Sequence, residues 1–276
     1  MKKSRKLGTV ALNTPYAVWS VIFIVVPLFI VAYYAFTDAN GSFSFDNIVQ
    51  LKDYKDEFIR SIWYSVIATL LALLISYPFA YFLSKQSERS RGIQMMLVML
   101  PMWMNLLIRT YSWMNILENN GLINKLLETL GMEKITMIGT PGAVIFGMVY
   151  NYLPYMILPI YTVMSKIEPS LLEAAEDLGC NGFNKLRRVI MPLSLPGVIS
   201  GITMVFVPSV STFYISQKMG NGKLVMVGDV IERQMLTSSS INYNLGASLS
   251  LVLMVVIIIS TAIMNKFSDS EGGMIV

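Results

Sequence analysis

The sequence predicts an all-α integral membrane protein with six transmembrane helices, and three observations carry that prediction. Of its 276 residues 54% are hydrophobic and only 14% are charged, where a soluble domain carries about a quarter. The mean hydropathy is +0.58. The apolar residues gather into six runs, at about 16–36, 61–83, 93–116, 141–163, 195–216 and 244–265, and about 20 apolar residues span a bilayer. Within lipid each run must be helical, because every backbone N–H and C=O needs a partner inside the segment. No low-complexity linker or long polar stretch divides the chain, so residues 1–276 are expected to form a single membrane domain.

The first run follows the basic residues Lys2, Lys3, Arg5 and Lys6, but no small-residue cleavage site closes it. It reads as a retained span rather than a signal peptide. Orientation comes from lysine and arginine in the short loops. With the N-terminus inside, twelve of these face the cytoplasm and eight the outside, and the acids divide seven to ten in the opposite sense. Both termini are therefore placed in the cytoplasm. The outer stretch 121–130 carries Leu122, Ile123, Leu126, Leu127 and Leu130 at helical spacing, which suits a helix lying on the membrane surface.

Composition narrows the chemistry. The chain has no histidine and a single cysteine, Cys180. The commonest general base and metal ligand is absent, and no cysteine pair suggests a disulfide or a metal site. No Gly-x-x-x-x-Gly-Lys-Ser/Thr loop is present to cradle a nucleotide's phosphates. If the chain moves a solute uphill, the energy comes from another subunit. A proton-coupled carrier would use a series of buried Asp, Glu or His, and the apolar runs hold none. A membrane scaffold without a transport role fits the composition, but it does not need bent, polar spans.

Such spans are present. Arg109 is the only charge inside a run. It lies about 16 residues from Ile93, roughly 24 Å along a helix, near the outer edge of a hydrocarbon core about 30 Å thick. There it can snorkel to the headgroups, or stand as a fixed cation that pairs with Glu118 or with an acid of another protein. Asn151 is about ten residues into the fourth run, close to the midplane. An amide there either joins helices or lines a wet path. Tyr150, Tyr152 and Tyr155 flank it, and Pro154 and Pro159 imply a bent helix. The fifth run carries Ser200, Thr203, Pro208, Ser209, Ser211, Thr212 and Tyr214, and broken, hydroxyl-rich helices are tolerated where they face protein or a water-filled cavity. Asn151, Tyr152, Trp113, Tyr111, Phe213 and Tyr214 are the candidates for a path lining, with core packing as the alternative for each aromatic. The aromatic residues also present faces that attract cations. The nearest outer acids are Asp229 and Glu232, which join Arg109 as outer-face candidates.

Residues 165–195 form the longest cytoplasmic segment. Pro169 suits the first turn of a helix and Gly179 the left-handed position just past its end. Between them Leu171, Leu172, Ala175 and Leu178 share one face, while Glu173, Glu176 and Asp177 look elsewhere. A second short helix is expected from Phe183 to Ile190, stopped by Pro192 and Pro196. A short rigid helix with small residues for close approach fits a mechanical coupler. An amphipathic connector in the headgroups, with Lys185, Arg187 and Arg188 on lipid phosphate, fits as well.

The spacing in this loop resembles the EAA loop of the permease subunits of bacterial ATP-binding-cassette importers: Glu-Ala-Ala, three residues, Gly, nine residues, Ile-x-Leu-Pro. Here it reads Glu173-Ala174-Ala175, Gly179, and Val189-Ile190-Met191-Pro192, with Val for Ile and Met for Leu as conservative departures. The stretches 101–113 (Pro-Met-Trp-Met-Asn-Leu-Leu-Ile-Arg-Thr-Tyr-Ser-Trp), 121–124, 172–179 and 192–197 are similar to the B-type permeases of polyamine (spermidine/putrescine) importers. The resemblance implies a type I importer permease architecture in a bacterial cytoplasmic membrane. It implies a second permease as heterodimer partner, two ATPase subunits that bind ATP and Mg, and an extracytoplasmic substrate-binding protein. In that family the loop's helix docks into a cleft of the ATPase, which would give Glu173, Ala174, Ala175, Leu178 and Gly179 coupling roles. No cofactor, catalytic residue or nucleic-acid partner is implied for this chain. Permeases for sulfate, iron and other solutes share much of the pattern, so the cargo remains open among them.

Overall fold

The computed structural model describes residues 14–38, 40–237 and 241–272, so Lys2, Lys3, Arg5 and Lys6 lie outside it. In chain order the helices are α1 (Thr14–Ala35), α2 (Asp46–Ser84), α3 (Glu88–Trp103), α4 (Leu106–Leu117), α5 (Leu122–Thr129), α6 (Pro141–Met164), α7 (Pro169–Asp177), α8 (Gly182–Ser211), α9 (Tyr214–Met219), α10 (Val227–Glu232) and α11 (Tyr243–Gly272). Among the described residues there is no sheet, only an isolated bridge between Thr37 and Phe43. Helices α1, α2, α6, α8 and α11 are long and apolar enough to cross a membrane, and α3 with its continuation through α4 and α5 makes a sixth, bent by 93°.

The chain divides into two compact units, residues 1–55 with 230–256 and residues 56–229 with 257–276. In the first, the start of α11 closes the end of α1. Asn244 Nδ2 donates to the carbonyls of Tyr34 (3.1 Å) and Thr37 (2.7 Å), and Ser248 Oγ donates to that of Ala35 (3.0 Å). Tyr34 and Ala35 lie in the last turn of α1, where carbonyls lack intrahelical partners, and Thr37 follows just beyond it.

The second unit is built on close backbone approach. Helix α2 buries Ser61, Ser65, Ala68, Ala72, Ser76 and Ala80, a stripe of small residues at helical spacing, the pattern that lets helices pack closely in lipid. Against it lie two apolar clusters, one around Val144, Met148, Ile215 and Met219 and one around Met156, Ile160, Ile190 and Val205. Helix α8 meets α6 through Gly197 and Gly201, four residues apart. A Cβ would come within 2.7 Å of Pro159 O at the first and of Met156 Sδ at the second. At Gly197 the obstacle is backbone, so glycine is required, whereas at Gly201 the Met156 side chain would have to shift.

Two expectations change. The run 93–116 is not one straight helix: α3 ends at Trp103 and α4 starts after Asn105, whose Oδ1 accepts from Leu107 N at 2.7 Å. That is a helix N-cap placed inside an apolar run. Conversely, Pro192 and Pro196 do not stop the helix that begins at residue 182. A π turn at Leu186–Ile190 leads directly into 191–211, and such bulges, like prolines, bend a helix without ending it.

Candidate functional site

Helix α7 forms as its sequence dictates. Pro169 occupies its first turn, where a missing N–H costs nothing. At its end Gly179 takes φ +81°, Gly179 N donates to Glu176 O at 2.8 Å, and Cys180 N donates to Ala175 O at 2.9 Å. This pair of bonds is a Schellman stop, which needs the left-handed residue that glycine supplies at least cost. The two alanines divide their work. Ala175 is buried against the chain, while Ala174 is exposed beside Glu173 and Asp177. The shared apolar face splits in the same way: Leu172 packs into the cluster around Met156 and Ile160, whereas Leu178 is 87% exposed. Lys185 pairs with Glu176 and ties α7 to the start of α8, and the Lys185 hydrogen bond and charge hold the Glu176 carboxyl below its ordinary range.

The membrane candidates fall into three groups. Arg109 and Trp113, four apart on α4, share a face and meet α6. Trp113 stands edge-on to Phe146 (4.7 Å) and Tyr150 (5.1 Å), and the Arg109 guanidinium lies 5.9 Å from the Tyr150 ring. Arg109 turns inward, and among the described residues it forms no ion pair with Glu118. It is 7% exposed and its Nη1 donates to Pro101 O at 2.6 Å. That carbonyl lies in the last turn of α3 and also accepts from Met104 N at 3.2 Å, and a cation at a helix C-terminus suits the helix dipole. Tyr111, on the other side of α4, meets Tyr214 of α9 with ring centroids 6.1 Å apart. The third group joins α6 to α8: Tyr152 Oη donates to Pro208 O at 3.4 Å.

Asn151 is 1% exposed. Its Nδ2 donates to Gly147 O in its own helix at 2.7 Å, and its Oδ1 has no partner among the described residues. Phe213 sits at the break between α8 and α9, 42% exposed. Asp229 is buried. It accepts from Ser216 Oγ (3.0 Å) and Met226 N (2.7 Å) and so braces the segment after α9. Glu232 is half-buried at the end of α10. Glu118 lines a polar cleft of about 310 Å³ together with Asn120, Thr136, Asn221 and Lys223.

Known proteins resolve what this arrangement is. The family described as the binding-protein-dependent transport system inner membrane component matches residues 5–270. The chain belongs to that family. It is therefore a multi-pass inner-membrane permease subunit of an ATP-binding-cassette importer. It is 36% identical over 251 residues to the spermidine/putrescine transport system permease protein PotB of Haemophilus influenzae, covering 87% of this chain and 88% of that one. It is 37% identical over 248 residues to PotB of Escherichia coli, covering 86% and 90%. Two solved structures share the fold. An alginate importer matches with a TM-score of 0.78 at 18% identity over 97% of this chain and 96% of that one, and the MetNI methionine transporter with 0.59 at 14% over 78% and 94%.

Two features of the permease escaped the sequence reading. The glycine pair Gly197 and Gly201 was visible as a Gly-x-x-x-Gly spacing. Lys218, which lies against the Tyr111 and Tyr214 rings, was not, because nothing local distinguishes it from a solvated loop lysine.

Proposed function

We propose that this permease carries polyamines, spermidine and putrescine, inward as half of a heterodimeric path and is driven through α7. The observation that carries the cargo reading is the identity of 36–37% to PotB proteins over most of both chains. The aromatic faces of Tyr111, Trp113 and Tyr214 are chemically apt for ammonium groups. No acid lies within the apolar runs, so carboxylates along the path would come from the second permease. A weakly binding route of this kind can release what it carries.

Coupling is supported by the geometry of α7: a rigid helix with a fixed stop, presenting Glu173, Ala174, Asp177 and Leu178 outward. Two ATPase subunits on the cytoplasmic side would grip this face, and their ATP-driven closure would rock the two permeases. An extracytoplasmic binding protein would deliver the cargo, with both termini of this single permease domain in the cytoplasm. The test is uptake of labelled spermidine by cells with and without this chain and with Gly179→Asp. Uptake lost in both supports a polyamine importer driven through α7. Uptake that survives deletion, in cells without a second polyamine system, moves the cargo to another solute. Glu173→Ala should assemble normally and transport slowly, and an unfolded variant would give Glu173 a structural role instead.

A further inference from the structure

Lys218 lies half-buried on α9 with its Nζ 5.2 Å from the centroid of the Tyr111 ring and 5.8 Å from that of Tyr214. The two rings stand at 77° to one another, so they form two walls of a corner, and the ammonium sits in it. Both distances fall inside the range in which a ring's negative face attracts a cation. Lys218 has no salt bridge among the described residues, and its ammonium also acts on the Tyr111 hydroxyl, so the two tyrosines are its main electrostatic partners. The corner stands just past the break that ends α8 at Ser211, where the chain leaves its regular helix for Thr212 and Phe213.

We propose that the Tyr111–Tyr214 corner is a binding site for a primary ammonium group and that Lys218 is its resident occupant, displaced by an arriving ammonium of the cargo. The inference rests on the polyamine reading. A lysine side chain ends in the same R–NH3+ group as putrescine and spermidine, so a site that seats one seats the other. Competition by a tethered cation has two physical consequences. It weakens net binding at this site, because the cargo gains only what Lys218 gives up. It also leaves a freed positive charge beside the bound cargo, which repels the cargo onward. An exposed lysine with no such role would change neither.

The test is equilibrium binding of labelled spermidine to the assembled permease–ATPase complex in nanodiscs, without the binding protein, so that the path alone is read. Lys218→Met empties the corner at similar side-chain length and should tighten binding by about two- to fivefold, the worth of one partly exposed cation–π contact. Tyr111→Leu or Tyr214→Leu should weaken binding by a similar factor. Lys218→Met placed on Tyr111→Leu should then add nothing, because the two act on one site. Lys218→Arg, which keeps the cation, should behave as the unaltered protein. A Lys218→Met complex that binds no tighter, or gains equally with and without the Tyr111 ring, overturns the corner while leaving polyamine transport intact. Complexes that assemble but bind no spermidine in any variant overturn the corner, while the polyamine reading is decided by the uptake assay.

Discussion

Helices α5 and α7 are two short amphipathic pieces between spans, and they end alike. Gly131 has φ +73° with bonds from Gly131 N to Glu128 O (3.0 Å) and from Met132 N to Leu127 O (2.9 Å), the same Schellman stop that Gly179 gives α7. They differ in how the chain holds them. On α5 the wholly buried Asn124 donates to Glu118 O and Ile135 O and accepts from Ile135 N, clamping both flanks. Nothing comparable holds α7. Its ties are Ala175, Leu172 and one exposed ion pair. A short helix fixed from within is a finished cap, whereas one fixed so lightly leaves an outward face, the one the proposed docking would use.

The widest separation between the two comes from their glycines. A side chain at φ near +80° costs about 1 kcal/mol, and a Cβ at either glycine meets nothing within 4 Å. Gly179→Asp and Gly131→Asp therefore impose the same local strain. Co-purification with the ATPase should be lost in the first and kept in the second. Equal losses would mean that backbone strain, not docking, is being measured. Next in size is Asn124→Ala, which takes the partner from the Ile135 N–H and C=O, while Glu118 O keeps its bond from Gly121 N. At about 1–3 kcal/mol for each such group, it should lower thermal stability by roughly 2–4 kcal/mol, allowing for partial relaxation, without weakening ATPase binding.

Leu178→Ala probes the other side of the contrast. At 87% exposure it contributes little to the isolated chain, so melting should not change. If docking buries it, roughly 1.5–3 kcal/mol of apolar transfer is lost, about ten- to a hundredfold in ATPase affinity. Unchanged affinity would place the contact on Glu173 and Ala174 alone.

How much of this was readable beforehand depends on the range over which each feature is determined. Pro169 and Gly179 act through their own backbone, so the ends of α7 could be read from two residues. The spans could be read because lipid demands long apolar helices. Asn105 was hidden because a cap of one residue is masked by the apolar residues on either side, although Pro101 just upstream was a visible warning. Pro192 and Pro196 misled because the helix runs on through a π turn at 186–190, where isolated proline rules expect a stop. Arg109 was read as a cation near the headgroups, and its bond to Pro101 O was hidden because that carbonyl comes within reach only through the bend between α3 and α4. Asp229 and Lys218 were unreadable as individuals. Their surroundings come from Ser216, Met226, Tyr111 and Tyr214, which only the folded chain assembles.

The smallest expected effect is at the tie between α7 and α8. Lys185 lowers the Glu176 carboxyl below its ordinary value of 4.5 and is itself raised in return. A carboxyl depressed in the folded state adds stability that is present at neutral pH and lost as pH falls through the depressed value. The Glu176 side chain is 56% exposed, and such pairs contribute little in water and less in salt. Hydrogen exchange across residues 165–185 should thus be nearly flat from pH 7 to the ordinary carboxylate range, after correction for intrinsic exchange, and should quicken below it. Glu176→Gln should remove that acid limb and alter little at pH 7. A large loss of protection at pH 7 would instead make α7 dependent on its one ion pair. The contrast with α5 would then lie in the kind of tie that holds each helix, charge at one and a buried amide at the other, rather than in how firmly each is held.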